Sequence, residues 1–187
     1  FYVLYANIDK FNPSDYKLDY DKLSIMDKWL LSRLNSLIKT VDNNLSTYHI
    51  TETAKALQNF VDELSNWYVR RSRDRFWGKD MTQNKINAYM TLYTALSTYI
   101  KLAAPMIPFI TDVIYQNLVR NSYTNAKESV HLCDFPVANE AHIDKGLEKN
   151  MQLVLEISAL GHAARNTASI KNRQPIGQMF VKAPFSL

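Results

Sequence analysis

Apolar residues recur every three or four positions along almost the whole of this chain, and only four glycines in 187 residues interrupt the pattern. That spacing lines one stripe of a helix, and so few glycines leave little room for the tight turns of a β fold. The expected class is all-α. Ser24, with Asp27 three residues on, reads as a capping box for a helix striped by Met26, Leu30, Leu34, Leu37, Val41 and Leu45. A second helix, from about Thr51 to Phe76, carries Ala54, Leu57, Val61, Leu64 and Tyr68, with Gly78 as its stop. A third, over 83–103, aligns Ile86, Tyr89, Tyr93, Leu96, Ile100 and Ala103. Pro105 and Pro108 break the chain, and Pro108 suits the first turn of a fourth helix presenting Ile110, Val113, Ile114, Asn117 and Leu118 on one side.

Four segments with one apolar face each predict an antiparallel helix bundle. VHLCDFP reads as a short extended piece, a fifth helix is predicted over about 144–165, and RQPIGQMFVKA reads as a turn followed by one strand. The expected division is a bundle over 1–137 and a C-terminal extension over 138–187 ending in that strand. A lone strand is unstable by itself, and the chain starts without Met, so the sequence is expected to be a piece of something longer. No apolar run reaches the roughly 18 residues of a membrane span. One cysteine, Cys133, excludes an internal disulfide and fits a reducing, cytoplasmic setting.

The net charge is only +4, so attraction for a polyanion must come from clustering. NWYVRRSRDRFWG places Arg70, Arg71, Arg73 and Arg75 within six positions, against the single acid Asp74. At about 100° per residue, the apolar stripe continues onto Arg71 and Arg75, while Arg70, Arg73 and Trp77 fall opposite. Two readings fit. A cationic helix end is favoured by the helix dipole by about 0.3–1 kcal/mol per charge, and Asp74 can pair with Arg70. Alternatively, guanidinium groups grip phosphates while Trp and Tyr rings stack on bases. For Arg71 and Arg75 a buried ion pair at a domain contact competes. Arg165, Lys171 and Arg173, in ARNTASIKNRQP, form a second cluster with no acid; it is either a solvated loop or part of a nucleic-acid surface.

No glycine-rich phosphate loop is present. His49, His131, His142 and His162 lack ligand-like spacing to one another or to Cys133, so no metal site is expected. Ser129, His131 and Asp134 are close in sequence but offer no nucleophile geometry. No catalytic residue is assigned.

SNWYVRRSRDRFWG, AYMTLYTALSTYIKLAAPMIPFITDVIYQNL and ESVHLCDFP together resemble the isoleucyl-tRNA synthetases, in the version shared by archaea, eukaryotes and some bacteria. FYVLYANIDKFNP and RNTASIKNRQPI fit too, so the resemblance spans essentially the whole chain. APMIPFITDVIYQNL alone also resembles the valyl and leucyl relatives; RRSRDRFW favours isoleucine. The resemblance implies a helical, tRNA-binding anticodon domain of class I type, positioning isoleucine tRNA for a catalytic domain in the same polypeptide. That domain carries HIGH and KMSKS signatures, neither of which occurs here. ATP and Mg2+ are implied for the full-length enzyme, with Zn2+ left open. Arg70, Arg73, Trp77, Arg165, Lys171 and Arg173 are then expected at the tRNA, and Arg71, Arg75 and Trp67 at the domain junction or in a structural role. The rival readings are a valyl or leucyl module and a helical protein–protein scaffold.

Overall fold

A computed structural model describes residues 1–182. The chain divides into two compact units, Phe1–Asp144 and Lys145–Leu187. Among the described residues the regular structure is helical throughout.

In the first unit, α1 (Tyr2–Asp9) precedes α2 (Ile25–Ser46), which starts at the predicted capping box. Ser24 Oγ accepts from the Asp27 amide at 3.3 Å, and the Asp27 carboxylate accepts from the Ser24 amide at 3.1 Å. A turn at Thr47–His49, with Tyr48 at φ 61°, leads into α3 (Ile50–Glu63). Helical winding continues through a π-helical segment, Leu64–Val69, into α4 (Arg70–Trp77). Thr82 then caps α5 (Gln83–Ala103), its hydroxyl accepting from the Lys85 amide. Pro108 opens α6 (Pro108–Tyr115), which passes into a second π-helical segment, Gln116–Arg120.

Side-chain pairings fix the directions of these helices. Asp27 near the start of α2 meets Arg75 near the end of α4, and Arg33, further along α2, meets Glu63, further back at the end of α3. Tyr68 reaches Ala88, and Tyr99 reaches Leu57. Neighbours in sequence thus run antiparallel, as the alternating stripes predict. Trp29, Leu30, Leu34 and Val41 from α2 are buried, as are Phe60 and Tyr68 from the second rod and Tyr89, Leu92 and Ile100 from α5. Removing such apolar side chains from water supplies about 1.5–3 kcal/mol each.

Two expected stripes are rotated in the structure. The buried series on the second rod is Leu57, Phe60, Leu64, Tyr68, Ser72 and Phe76, whereas Ala54 and Val61 are exposed. From Leu64 onward the steps are of four residues, wider than the 3.6-residue α period, and the π turn absorbs the excess. On α6 the buried side chains are Thr111 and Tyr115, followed by Leu118; the apolar trio Ile110, Val113 and Ile114 faces outward. Tyr115 packs with Ile100, Ala104 and Val130, which orients the helix. The same segment ties down the next loop: Asp112 accepts from Ser129 Oγ at 2.7 Å and from the Val130 amide at 2.9 Å. VHLCDFP therefore begins with a 3-10 turn, Val130–Leu132, instead of an extended run.

Residues 138–144 are held to α2, where Asn35 Oδ1 accepts from the Asn139 amide and Ser32 Oγ from the Asp144 amide. Helix α1 has no clear sequence signal. Lys85 secures it: its buried ammonium lies 2.6 Å from Asp9 and 2.7 Å from the Gly78 carbonyl, and the Tyr89 hydroxyl donates to the same Asp9 oxygen.

The second unit is built on α7 (Lys145–Thr167). Ser169, at φ 54°, turns the chain, and Arg165 Nη1 donates to the Lys171 and Gln174 carbonyls at 2.9 and 2.8 Å. Ile157, Leu160, Ile176 and Met179 line a cleft of about 450 Å³. The strand expected in RQPIGQMFVKA does not form over 173–182: among the described residues no neighbouring strand supplies the ladder bonds that define one. Residue 183 of that segment lies outside the described residues.

Candidate nucleic-acid interface

The arginine cluster begins where the π turn ends. Phase set by that turn sends Ser72 and Phe76 into the core and leaves Arg70, Arg71 and Arg73 exposed. Arg71, which sequence phase puts on the packed stripe, instead lies over the Trp67 ring at 5.4 Å, within cation–π range. Among the described residues, Arg70 and Arg73 have no carboxylate within 4.0 Å, and the expected Arg70–Asp74 pair is absent. Trp77 is exposed, with its indole N–H donating to Tyr5 Oη at 2.8 Å.

Arg75 turns the other way. Two of its nitrogens donate to the two oxygens of Asp27, each at 2.8 Å, and Nη2 also reaches the Asn84 carbonyl at 2.9 Å. The Tyr68 hydroxyl donates to Asp27 at 2.6 Å. Burial pushes the Asp27 carboxyl up, but hydrogen bonds from Arg75, Tyr68 and Ser24 outweigh it and hold the group below the usual carboxylate range. Burial beside that carboxylate drives the Tyr68 phenol well up, so it stays a donor. Asp27 is the member of this network that sequence reasoning read only as a cap. The available signal was Tyr68 and Arg75, seven residues apart on one helical face.

The result is a helix end with one arginine fixed inside and three presented outside. Exposed guanidinium groups beside aromatic rings suit a phosphate backbone, and Arg70 and Arg73 need no release from an internal ion pair.

The second cluster belongs to the second unit. Arg165 there anchors the turn, and Lys171 and Arg173 are exposed on it. The histidines make ordinary contacts: His131 Nε2 lies 3.2 Å from the Pro108 carbonyl, and His142 stacks on Tyr20 at 4.2 Å. Ser129 donates to Asp112, outside any nucleophile–base pair. Among the described residues, no three His, Cys, Asp or Glu side chains converge to hold a metal, and no helix is long and apolar enough to cross a membrane.

Residues 27–180 match the family described as the anticodon-binding domain of tRNA ligase. Isoleucine–tRNA ligase from Clostridium novyi is 55% identical over 181 residues, covering 97% of this chain and 17% of the relative. The same named ligases from Clostridium tetani and Clostridium acetobutylicum are 54% and 55% identical, with the same coverage. The chain thus spans about 17% of the length of these curated relatives. These matches do not favour a valyl or leucyl module or a protein–protein scaffold. With most of its length inside the family match, and an all-α bundle to carry it, the chain belongs to the anticodon-binding domains of tRNA ligases.

Proposed function

We propose that this chain is the tRNA-binding part of a cytoplasmic isoleucine–tRNA ligase, and that it positions isoleucine tRNA for ATP-dependent aminoacylation elsewhere in the polypeptide. The observation that carries this reading is the exposure of Arg70 and Arg73, without acidic partners among the described residues, on a helix end that Arg75 locks to Asp27. Arg70, Arg73 and Trp77 hold the tRNA backbone in one patch. Lys171 and Arg173 do so in another, on the turn that Arg165 anchors. Trp67 and Arg71 act as a stacked pair at the junction with the catalytic part, and Arg75 is structural.

Phosphate contacts set register and orientation without reading bases. Binding energy gathered far from the reacting atoms can then support the transfer step by placing the acceptor end. ATP and Mg2+ belong to the remainder of the ligase. The described residues offer no carboxylate or histidine cluster that fits a metal, and no step here is routed through either group.

The test is binding of isoleucine tRNA and valine tRNA by the intact ligase and by its Arg70→Ala/Arg73→Ala variant. A similar loss for both tRNAs is expected, because phosphates are common to them. Unchanged binding would remove the arginine patch from the interface. Separately, the chain alone is expected to catalyse no isoleucine-dependent pyrophosphate exchange.

A further inference from the structure

We propose that the recess between α5, the end of α6 and the loop carrying Cys133 binds a small organic oxyanion, a phosphate or carboxylate group on a compact aromatic body. This goes beyond the ligase reading and does not depend on it. The recess holds about 420 Å³, within the range of small-ligand sites. Every residue that lines it belongs to the first unit.

Its walls carry phenols with nowhere to donate. Elsewhere in the bundle Tyr68 donates to Asp27, Tyr89 to Asp9 and Tyr99 to the Leu57 carbonyl. Tyr93 and Tyr115 line the recess at 8% and 2% exposure, and among the described residues no carbonyl or carboxylate accepts from either. The Tyr115 hydroxyl meets only the Cys133 thiol, at 3.4 Å. Tyr123, whose ring lies 6.1 Å from that of Tyr93, also lines the recess. A bond from Tyr93 to Tyr123 would still leave the second proton without an acceptor. Next to them Tyr2 packs on Tyr93 at 6.2 Å, and its buried hydroxyl has no partner. Burial raises the phenols of Tyr2 and Tyr93, and burial with Cys133 pushes Tyr115 up to about 12, so all three stay donors. Buried donors left unpaired cost stability, and a ligand rich in acceptor oxygens relieves that cost.

Charge gives the sign of the ligand. Lys101 and Lys127 line the same recess. Among the described residues Lys101 has no carboxylate within 4.0 Å, and Lys127 has only Asp134, at 3.5 Å and almost fully exposed. Two ammonium groups against one loosely held carboxylate favour an anion. Val119 and Cys133 pack on the core formed by Ile100, Ala104, Tyr115 and Val130, which gives the recess an apolar side for the ligand's body. A backbone phosphate on the outside of folded RNA does not reach donors as recessed as Tyr93 and Tyr115; a small molecule that enters does.

The experiment follows alkylation of Cys133 by iodoacetamide in the full-length protein, read by mass spectrometry of the peptide that contains it. Phenyl phosphate and benzoate are added in turn, with benzylamine as a cation of similar body. Saturable, severalfold slowing by one or both anions is expected, and none by benzylamine. Whichever anion protects at lower concentration identifies the head group. Lys101→Ala/Tyr123→Phe is expected to raise the concentration needed about tenfold, as for lost hydrogen bonds to a charged group. Tyr93→Phe separates this role from a structural one. It removes a hydroxyl with no acceptor in the free protein, so affinity falls while the melting temperature without ligand holds or rises. A lower melting temperature with affinity unchanged overturns the proposal. So does equal protection by benzylamine, absence of protection by both anions, or protection by isoleucine tRNA where the small anions give none.

Discussion

Arg75 closes two 2.8 Å hydrogen bonds onto Asp27, a residue 48 positions earlier that is fully buried at the start of α2. One side of this pair belongs to the basic cluster and the other to a helix cap, so a single contact joins the platform to the core. Removing one partner strands the other charge in a poorly solvated place. Asp27→Asn and Arg75→Met are each expected to lose roughly 3–5 kcal/mol of stability, and a double replacement by apolar residues less than the sum. Urea denaturation with both single variants and the double variant checks this. Additive losses would show that the two groups do not act as a pair.

Acid should expose the same contact. The Asp27 carboxyl titrates lower in the folded chain than in the unfolded one, where the ordinary value is about 3.9. Its contribution is therefore complete above that value and fades as pH falls through the lower, folded one. Stability measured from pH 6 downward (roughly two units above the ordinary value) should begin to fall near the unfolded pKa, and the fall should be shallower in Asp27→Asn. Parallel curves for the two proteins would assign the acid loss to other carboxylates.

For Arg70 and Arg73 the expectation is opposite in kind. Both are exposed, so Arg70→Ala/Arg73→Ala should leave the melting temperature of the intact ligase in place. If each meets one phosphate, the slope of log affinity against log salt becomes shallower by about 1.4–1.8. An unchanged slope with a large drop in melting temperature would make these arginines structural.

Helix α1 gives a local readout. Lys85, 2% exposed, relies on Asp9 for its counter-charge. Asp9→Asn should speed hydrogen exchange of the α1 amides well before it affects α2, because the lost ion pair is one of the ties between α1 and α5. Uniform acceleration across α1, α2 and α5 would mean that α1 unfolds only with the whole bundle.

The cap at Ser24, the extent of α5, Pro108 at a helix start and the antiparallel order were legible because each rests on residues close in sequence. What escaped depended on backbone geometry that no residue type announces. Nothing in LSNWYV marks a π turn, so a phase counted at α pitch carried Arg71 inward and missed Ser72. Buried Thr111 and outward Val113 reverse the usual apolar logic, which a stripe read from hydrophobicity alone cannot detect. Arg75 was placed on the packed side, but its partner Asp27 sits on another helix, and one sequence read by itself does not pair residues 48 positions apart.

The π segment at Leu64–Val69 also fixes how this rod can tolerate change in length. Its extra residue acts as an angular setting between two halves of one helix. Losing a single residue there would alter neither net charge nor composition appreciably if the deletion fell on Ser65 or Asn66. With that residue gone, relaxation to plain α winding would leave everything beyond facing as before, whereas a return to α winding at full length would turn it by about one residue's rotation, roughly 100°. In that second case the arginines would keep their order along the chain and change the direction in which each points. A single deletion in this short stretch is therefore absorbed, while an insertion, or a substitution that restores α winding at full length, is a rotation of a charged surface.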